Sequence, residues 1–219
     1  MMGCRKLRKI RKIDTASIGI GAMIIFIAMV LVAGIAASVL IQTSTRLEMQ
    51  ALKTGQETIA EVSSGLKVEA VEGHNTSGSI DKMAIEITSK AGSPDIDLQE
   101  TIIEISDATD KYILAYPQSG GSYTNVSSVN GNVFDSGTYG TANTFSIIVL
   151  NDADESCTSD NPIINFGDHI ILGVNTNSVF GGLLPRTDVS GIVVCEEGSP
   201  GIVGFTTPAS YIDDVMELQ

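Results

Sequence analysis

Residues 17–41, SIGIGAMIIFIAMVLVAGIAASVLI, form an apolar run that few architectures can accommodate. No side chain from Ser17 to Thr45 carries a charge. Twenty-five residues make an α-helix of roughly 38 Å, enough to cross a hydrocarbon layer of about 30 Å. A secretory signal peptide has a shorter apolar stretch of roughly 7–15 residues, closed by a small-residue cleavage site. Here no break follows. Leu52, Ile59, Val62 and Leu66 continue at helical spacings of 7, 3 and 4, with Arg46, Glu48, Lys53, Glu57 and Glu61 elsewhere on the surface. Gly65 stands where a helix C-terminal stop belongs. The pattern predicts one helix from Ser17 to Ser64, apolar all round in its first half and amphipathic in its second.

Charge orients this helix. Arg5, Lys6, Arg8, Lys9, Arg11 and Lys12 are six of the chain's 13 basic residues, and all precede the apolar run. By the positive-inside rule they stay cytoplasmic and the C-terminal part lies outside. A single-pass anchor with an external domain satisfies the same composition. Gly19, Gly21, Ala22, Ala28, Ala33, Gly34, Ala36, Ala37 and Ser38 offer close approach to other helices, although small residues are frequent in any membrane helix. Beyond residue 16, seven basic residues face 25 acidic ones, a net charge of −18. That excludes a nucleic-acid partner. It also makes like subunits repel, so salt or bound cations favour any self-assembly.

The remaining chain, residues 65–219, reads as antiparallel β. Met83, Ile85 and Ile87 alternate with Ala84, Glu86 and Thr88, and short runs follow at 101–106, 111–116, 144–151, 168–175, 190–195 and 201–207. AGSPD, PQSGGS, NGN and SPG separate them as turns. Seven or eight short strands predict an α+β chain: the long hydrophobic helix, then an Ig-like β-sandwich or barrel with a single core. The Gly/Ser/Asn-rich stretch 116–143 is expected to be a surface loop system.

Signs of chemistry are sparse. His74 and His169 lack a partner constellation in the sequence, and no nucleophile-elbow, zinc-helix or phosphate-loop motif occurs. Asp152 and Asp154, with Ser156, make a fragment of a calcium-loop pattern without its Gly and distal Glu. A structural divalent cation there is the one cofactor candidate. Asn75-Thr76-Ser77 and Asn125-Val126-Ser127 are N-glycosylation acceptors in predicted loops. Of the three cysteines Cys4 lies in the basic leader ahead of the apolar run; that leaves Cys157 and Cys195, an even pair in an exported domain, so a disulfide is expected, closing a loop that would contribute about 3–4 kcal/mol.

SIGIGAMIIFIAMVLVAGIAASVLIQTS resembles the N-terminal signature of archaellins, the subunits of the archaeal swimming filament. LLPRTDVSGIVVCEEGSPGIVGF and the terminal GFTTPASYIDDVMELQ resemble the archaellin C-terminus. The likeness is dense over 17–70 and 165–219 and weak over 71–160. It implies a basic leader, residues 1–16, removed between Ala16 and Ser17 by a prepilin-type membrane aspartic peptidase. Most archaellins have Gly before the cut, preceded by Lys or Arg; this chain has Asp14, Thr15 and Ala16. Bacterial type IV pilins carry Glu at the fifth mature position, which is Gly21 here.

The resemblance implies no enzymatic activity. Residues 17–64 would be stored in the membrane, then packed into a filament core through Gly19, Gly21, Ala33, Gly34 and Ala37. Residues 65–219 would form an extracellular domain, N-glycosylated at Asn75 and Asn125. The implied partners are further copies or other archaellins, the peptidase, a membrane assembly platform and a motor ATPase. The alternatives are a type IV pilin-like adhesion subunit and a single-pass anchored surface protein.

Overall fold

In the computed structural model the backbone is described for residues 4–117, 122–129, 131–135, 137 and 139–219, and side chains from residue 17 onward. The side chains of Cys4, Ala16 and the rest of the expected leader, and most of the expected turn at 117–122, lie outside the described residues. The chain divides into two compact units, residues 1–56 and 57–219.

Helix α1 spans Cys4–Ser63. It starts well before the expected Ser17 because Leu, Lys, Arg and Ile from residue 5 to 13 are good helix formers with no breaker among them. Its last turn belongs to the second unit, where a web of backbone bonds ends it. Ser199 donates from N to the Ser64 carbonyl at 2.9 Å, and Leu66 N donates to the Ser199 carbonyl at 3.2 Å. Gly65 N donates to Ser93 Oγ at 3.0 Å, and Lys90 N to the Gly65 carbonyl at 2.9 Å. Gly65 has φ 132°, a left-handed conformation that disfavours any side chain. A Cβ there would lie 2.2 Å from the Ser199 oxygen.

The second unit holds three sheets. The six-stranded one contains β1 (Leu66–Thr76), β2 (Ser79–Ser89), β6 (Tyr123–Asn125), β7 (Ser146–Asn151), β9 (His169–Val174) and β12 (Val215–Glu217), in the order β12-β1-β2-β9-β7-β6. The four-stranded one contains β4 (Ile102–Ser106), β5 (Lys111–Ala115), β10 (Asp188–Val194) and β11 (Gly201–Thr206), in the order β11-β10-β4-β5. β3 (Ile96–Asp97) pairs with β8 (Ile163–Ile164), and a short helix α2 (Thr176–Phe180) follows β9. Among the described residues all pairings between these strands are antiparallel except β6 with β7, and isolated parallel bridges join Gly65 to Ser199 and Ala115 to Thr144. The expected α+β architecture holds, with the seven expected runs all becoming strands.

Alternation puts one face of each strand into the core. Met83, Ile85 and Ile87 of β2 are fully buried with Leu66, Leu114, Phe145, Ile147 and Leu172. The stretch 116–143 departs from the loop expectation. Two 3₁₀ turns, Val126–Val129 and Val133–Asp135, carry Phe134 to 3% exposure. With Val133, Tyr139 and Leu150 it covers Ala84, Ile148 and Ile171 on the outward side of the six-stranded sheet. Polar composition concealed this because one Phe and one Tyr do the covering.

The junction gives a stability contrast. Gly65→Ala is expected to cost about 1–3 kcal/mol in backbone strain, lowering the melting temperature of the full chain in detergent by several degrees. Gly204→Ala, where a Cβ meets nothing within 4 Å, is expected to leave it unchanged. Circular dichroism melts of the two variants make the comparison.

Candidate functional site

On α1 every large apolar side chain from Ile18 to Ile41 is 52–71% exposed. Ser17–Ser63 is long and apolar enough to cross a membrane, by length and composition. Ile25, Ala28, Met29, Val32, Ala33 and Ala36 line a groove along one side. Helical spacing continues that stripe back to Gly21, while Gly19 and Ala37 lie together further round the helix and Gly34 further still. Small residues thus serve more than one face, as a helix surrounded by several others needs. A Cβ at Gly19, Gly21 or Gly34 meets nothing within 4 Å. The hydroxyls of Thr43 and Thr45 donate to the carbonyls of Leu40 and Ile41 at 2.9 and 3.0 Å. That satisfies them inside the helix.

The outer unit brings three carboxylates together. Asp152, Asp154 and Asp168 present oxygens that all lie within 4.8 Å of one another. The loop after β7 folds back with Glu155 at φ 57°. Asp152 accepts from the Cys157 N at 3.0 Å and Asp154 from the Ser156 N at 3.2 Å. Asn165 binds both ends: its Nδ2 donates to Asp154 at 2.6 Å, and its N donates to Asp168 at 2.9 Å. Asp168 comes from the turn before β9 and is the member that the short acidic run did not reveal.

Asp168 is 1% exposed, and burial pushes its carboxyl above the usual range. The Asn165 amide holds the exposed Asp154 below it. Among the described residues none of the three makes an ion pair. Clustered oxygen donors with no countercharge fit a hard divalent cation.

Other expected sites lie apart. Asn75 is half-exposed at the end of β1, its Oδ1 accepting from Gly78 N at 3.1 Å. Asn125 is exposed at the end of β6, its Oδ1 accepting from Ser127 N at 3.1 Å. In both the bonded atom is the oxygen, and the amide nitrogen is the atom to which a glycan would attach.

The expected Cys157–Cys195 bridge is not formed, and this is a correction: both thiols are free and buried. They contact different groups. Cys157 sits among acids and tyrosines, and burial, with Asp152 and Asp168, pushes its thiol up to about 12. The Cys195 Sγ donates to the Glu197 carbonyl at 3.1 Å.

The histidines face single carboxylates, His74 to Asp81 at 2.7 Å and His169 to Glu86 at 3.2 Å. Thr76 near His74 bonds the same Asp81 at 3.0 Å. It lies 3.4 Å from the Nδ1 that meets Asp81, so no relay to a nucleophile results.

Residues 16–205 match the model of the archaeal-type flagellin family. Flagellin B2 of Methanocaldococcus jannaschii is 44% identical over 212 residues, covering 93% of this chain and 94% of that protein. Flagellin B3 of Methanococcus voltae is 36% identical, covering 97% and 100%. The crystal structure of archaeal flagellin FlaB1 from M. jannaschii superposes with a TM-score of 0.64 at 34% identity, covering 71% of this chain and 97% of that one. The archaeal flagellum of Methanospirillum hungatei shares the fold at 14% identity, with a TM-score of 0.62 over 90% of this chain and 98% of that one.

The carboxylate cluster generates a signed prediction. A raised acid such as Asp168 loses stability as pH rises through its folded pKa; a divalent cation offsets that loss. Calcium at about 100 times its Kd is therefore expected to stabilise the outer unit by about 2.7 kcal/mol at pH 7, raising its melting temperature by several degrees. The gain shrinks as pH falls through Asp168's raised pKa toward the ordinary carboxylate value of about 4. Asp154→Asn removes the gain. Calorimetry with calcium or chelator, at pH 7 and near pH 4, measures each part.

Proposed function

The chain belongs to the archaeal-type flagellin family and is a structural subunit of the archaeal motility filament, and from that premise we propose how its parts divide the task. The family is structural, not enzymatic. The carrying observation is that α1 from Ile18 to Ile41 has all its large apolar side chains exposed.

Lipid covers this surface in the precursor, where helical hydrogen bonds satisfy the backbone. A prepilin-type peptidase cuts between Ala16 and Ser17. The freed helix then packs against copies of itself, or against other archaellins, through Gly19, Gly21, Ala33, Gly34 and Ala37. A membrane platform and a motor ATPase drive that transfer. Residues 65–219 form the extracellular wall. Glycans on Asn75 and Asn125 hydrate it, and a divalent cation at Asp152, Asp154 and Asp168 relieves its densest cluster of acids.

Mass spectrometry of sheared surface filaments tests the reading. The chain is expected to be present, to begin at Ser17 and to carry glycan mass on the Asn75 and Asn125 peptides. A start beyond Ala37, as a signal peptidase would leave, contradicts it. Gly21→Glu places a charge in an apolar helix interface at a cost of a few kcal/mol. It is expected to abolish filaments while the detergent-solubilised chain keeps its native β-sheet circular dichroism. Normal filaments from this variant would remove α1 from the interface.

A further inference from the structure

The two sheets of the outer unit treat their outward faces differently. The six-stranded sheet has its outward Ala84, Ile148 and Ile171 covered by Phe134 and its neighbours. The four-stranded sheet has no such cover among the described residues. Its outward positions align across strands: Ile202 faces Ile192, Ile192 faces Glu104, and Glu104 faces Ile113. In the next row Val194 faces Ile102. Ile202 is 69% exposed, Ile113 56%, Ile102 40% and Val194 39%. Cross-strand neighbours stand about 4.5–5.5 Å apart, so these side chains make one patch. Beside it Ser190, Gly191 and Gly204 leave a cleft of about 500 Å³.

A patch of this kind on a soluble domain marks a contact site, and charge selects its occupant. Residues 17–219 carry a net charge of −18, so two copies repel over most of their surface. This face is an exception. Its one central acid, Glu104, is neutralised by Lys111 at 2.6 Å, and Asp188 at the edge accepts from Thr206 at 2.6 Å. An acidic copy of the same chain meets no uncompensated charge at the patch centre.

An open helical polymer requires two different complementary surfaces rather than one patch against itself. Away from this face and from the last turns of α1, the large apolar side chains most exposed on the outer unit are Ile212 at 87%, Phe166 at 75% and Leu184 at 64%. Ile212 is followed directly by Asp213 and Asp214, both exposed. Leu184 is no separate surface, since its carbonyl binds Thr187 and Thr207 at the end of the same sheet. Phe166 is aromatic, the type that anchors interfaces. It sits between Asn165 and Gly167 on a fixed loop, and the acids beside it differ from the free pair after Ile212: Asp168 is buried, and Asn165 donates to both Asp168 and Asp154.

We propose that the outward face of the four-stranded sheet, centred on Ile192 and Ile202, receives Phe166 of a second copy of this chain as a lateral contact in the filament. The proposal rests on the filament reading above. It adds a second, outer-wall contact to the helical core.

Cysteine pairing tests it. Ile202→Cys, Phe166→Cys and the double variant are each assembled into filaments and treated with a short bismaleimide. Wild-type filaments serve as control, since Cys157 and Cys195 are buried. The double variant is expected to give a ladder of dimers, trimers and higher species, and each single variant none. Dimers from Ile202→Cys alone would show the patch meeting itself and overturn the proposal. Intact filaments of the double variant with no ladder would overturn it as well. Ile202→Asp gives an independent readout: filaments are expected to disassemble at a temperature lower by about 5 °C or more, with the detergent-solubilised chain melting as wild type. Unchanged filament melting would reject the contact while leaving the filament reading standing, which only absence of the chain from filaments would remove.

Discussion

Fifteen large apolar side chains between Ile18 and Ile41 stand more than half exposed, and water is not a medium in which they can stay. Covering each is worth about 1.5–3 kcal/mol. Their sum exceeds the roughly 5–15 kcal/mol by which a whole domain is stable. No rearrangement within the second unit can offset an exposure of that size. In the proposed function lipid takes this surface up first and other subunits afterwards. Because both media are apolar, the exchange between them turns on packing rather than on hydrophobicity itself. That is why Gly and Ala on several faces of α1 matter more than its Ile and Leu.

The outer unit has the opposite character. Its core is closed by its own strands, with Met83, Ile85, Ile87 and Phe145 fully buried. The end of α1 is fixed to it by short backbone bonds around Gly65 and Ser199. The side chains of Ser93 and Lys90 join them, bonding Gly65 and Ser199, while Gly65 itself leaves no room for a side chain. In the proposed precursor, a unit whose core is closed by its own strands would stay folded outside while the helix is still in lipid.

Legibility from sequence followed the scale of the interaction. The long helix and seven main strands were readable because each repeats one period over many residues. Leu66–Thr76 was readable only as part of a generally β-like stretch, since Gly73 and its polar neighbours break the alternation. Three features escaped. The helix start at Cys4 was masked by a change of charge that does not change helix propensity. The cover formed by Phe134 and Tyr139 was masked by the polar residues around them. Asp168 joins Asp152 and Asp154 only because the turns after β7 and before β9 meet, which no local spacing reports. The cysteine pairing failed for the related reason that an even count says nothing about proximity.

Acidity is the remaining constraint, and it shapes where self-contact can occur. With the leader removed as proposed, the wall of such a filament would repeat a subunit of charge −18 along its length, and repulsion between neighbours grows as salt falls. Attachment through the helix alone would leave the outer units to swing apart under that repulsion. The repulsion is relaxed at the neutral α1 surface, at the Glu104–Lys111 face and at the carboxylate cluster when a cation joins it. Phe166 lies within the turn that the cluster braces through Asn165 and Asp168. Cation binding at the cluster and apolar contact at Phe166 would therefore reinforce one another, the first lowering local charge and fixing the turn, the second using it. The acidic surface that keeps the wall soluble is thereby compatible with its cohesion, provided that contacts are confined to these few sites.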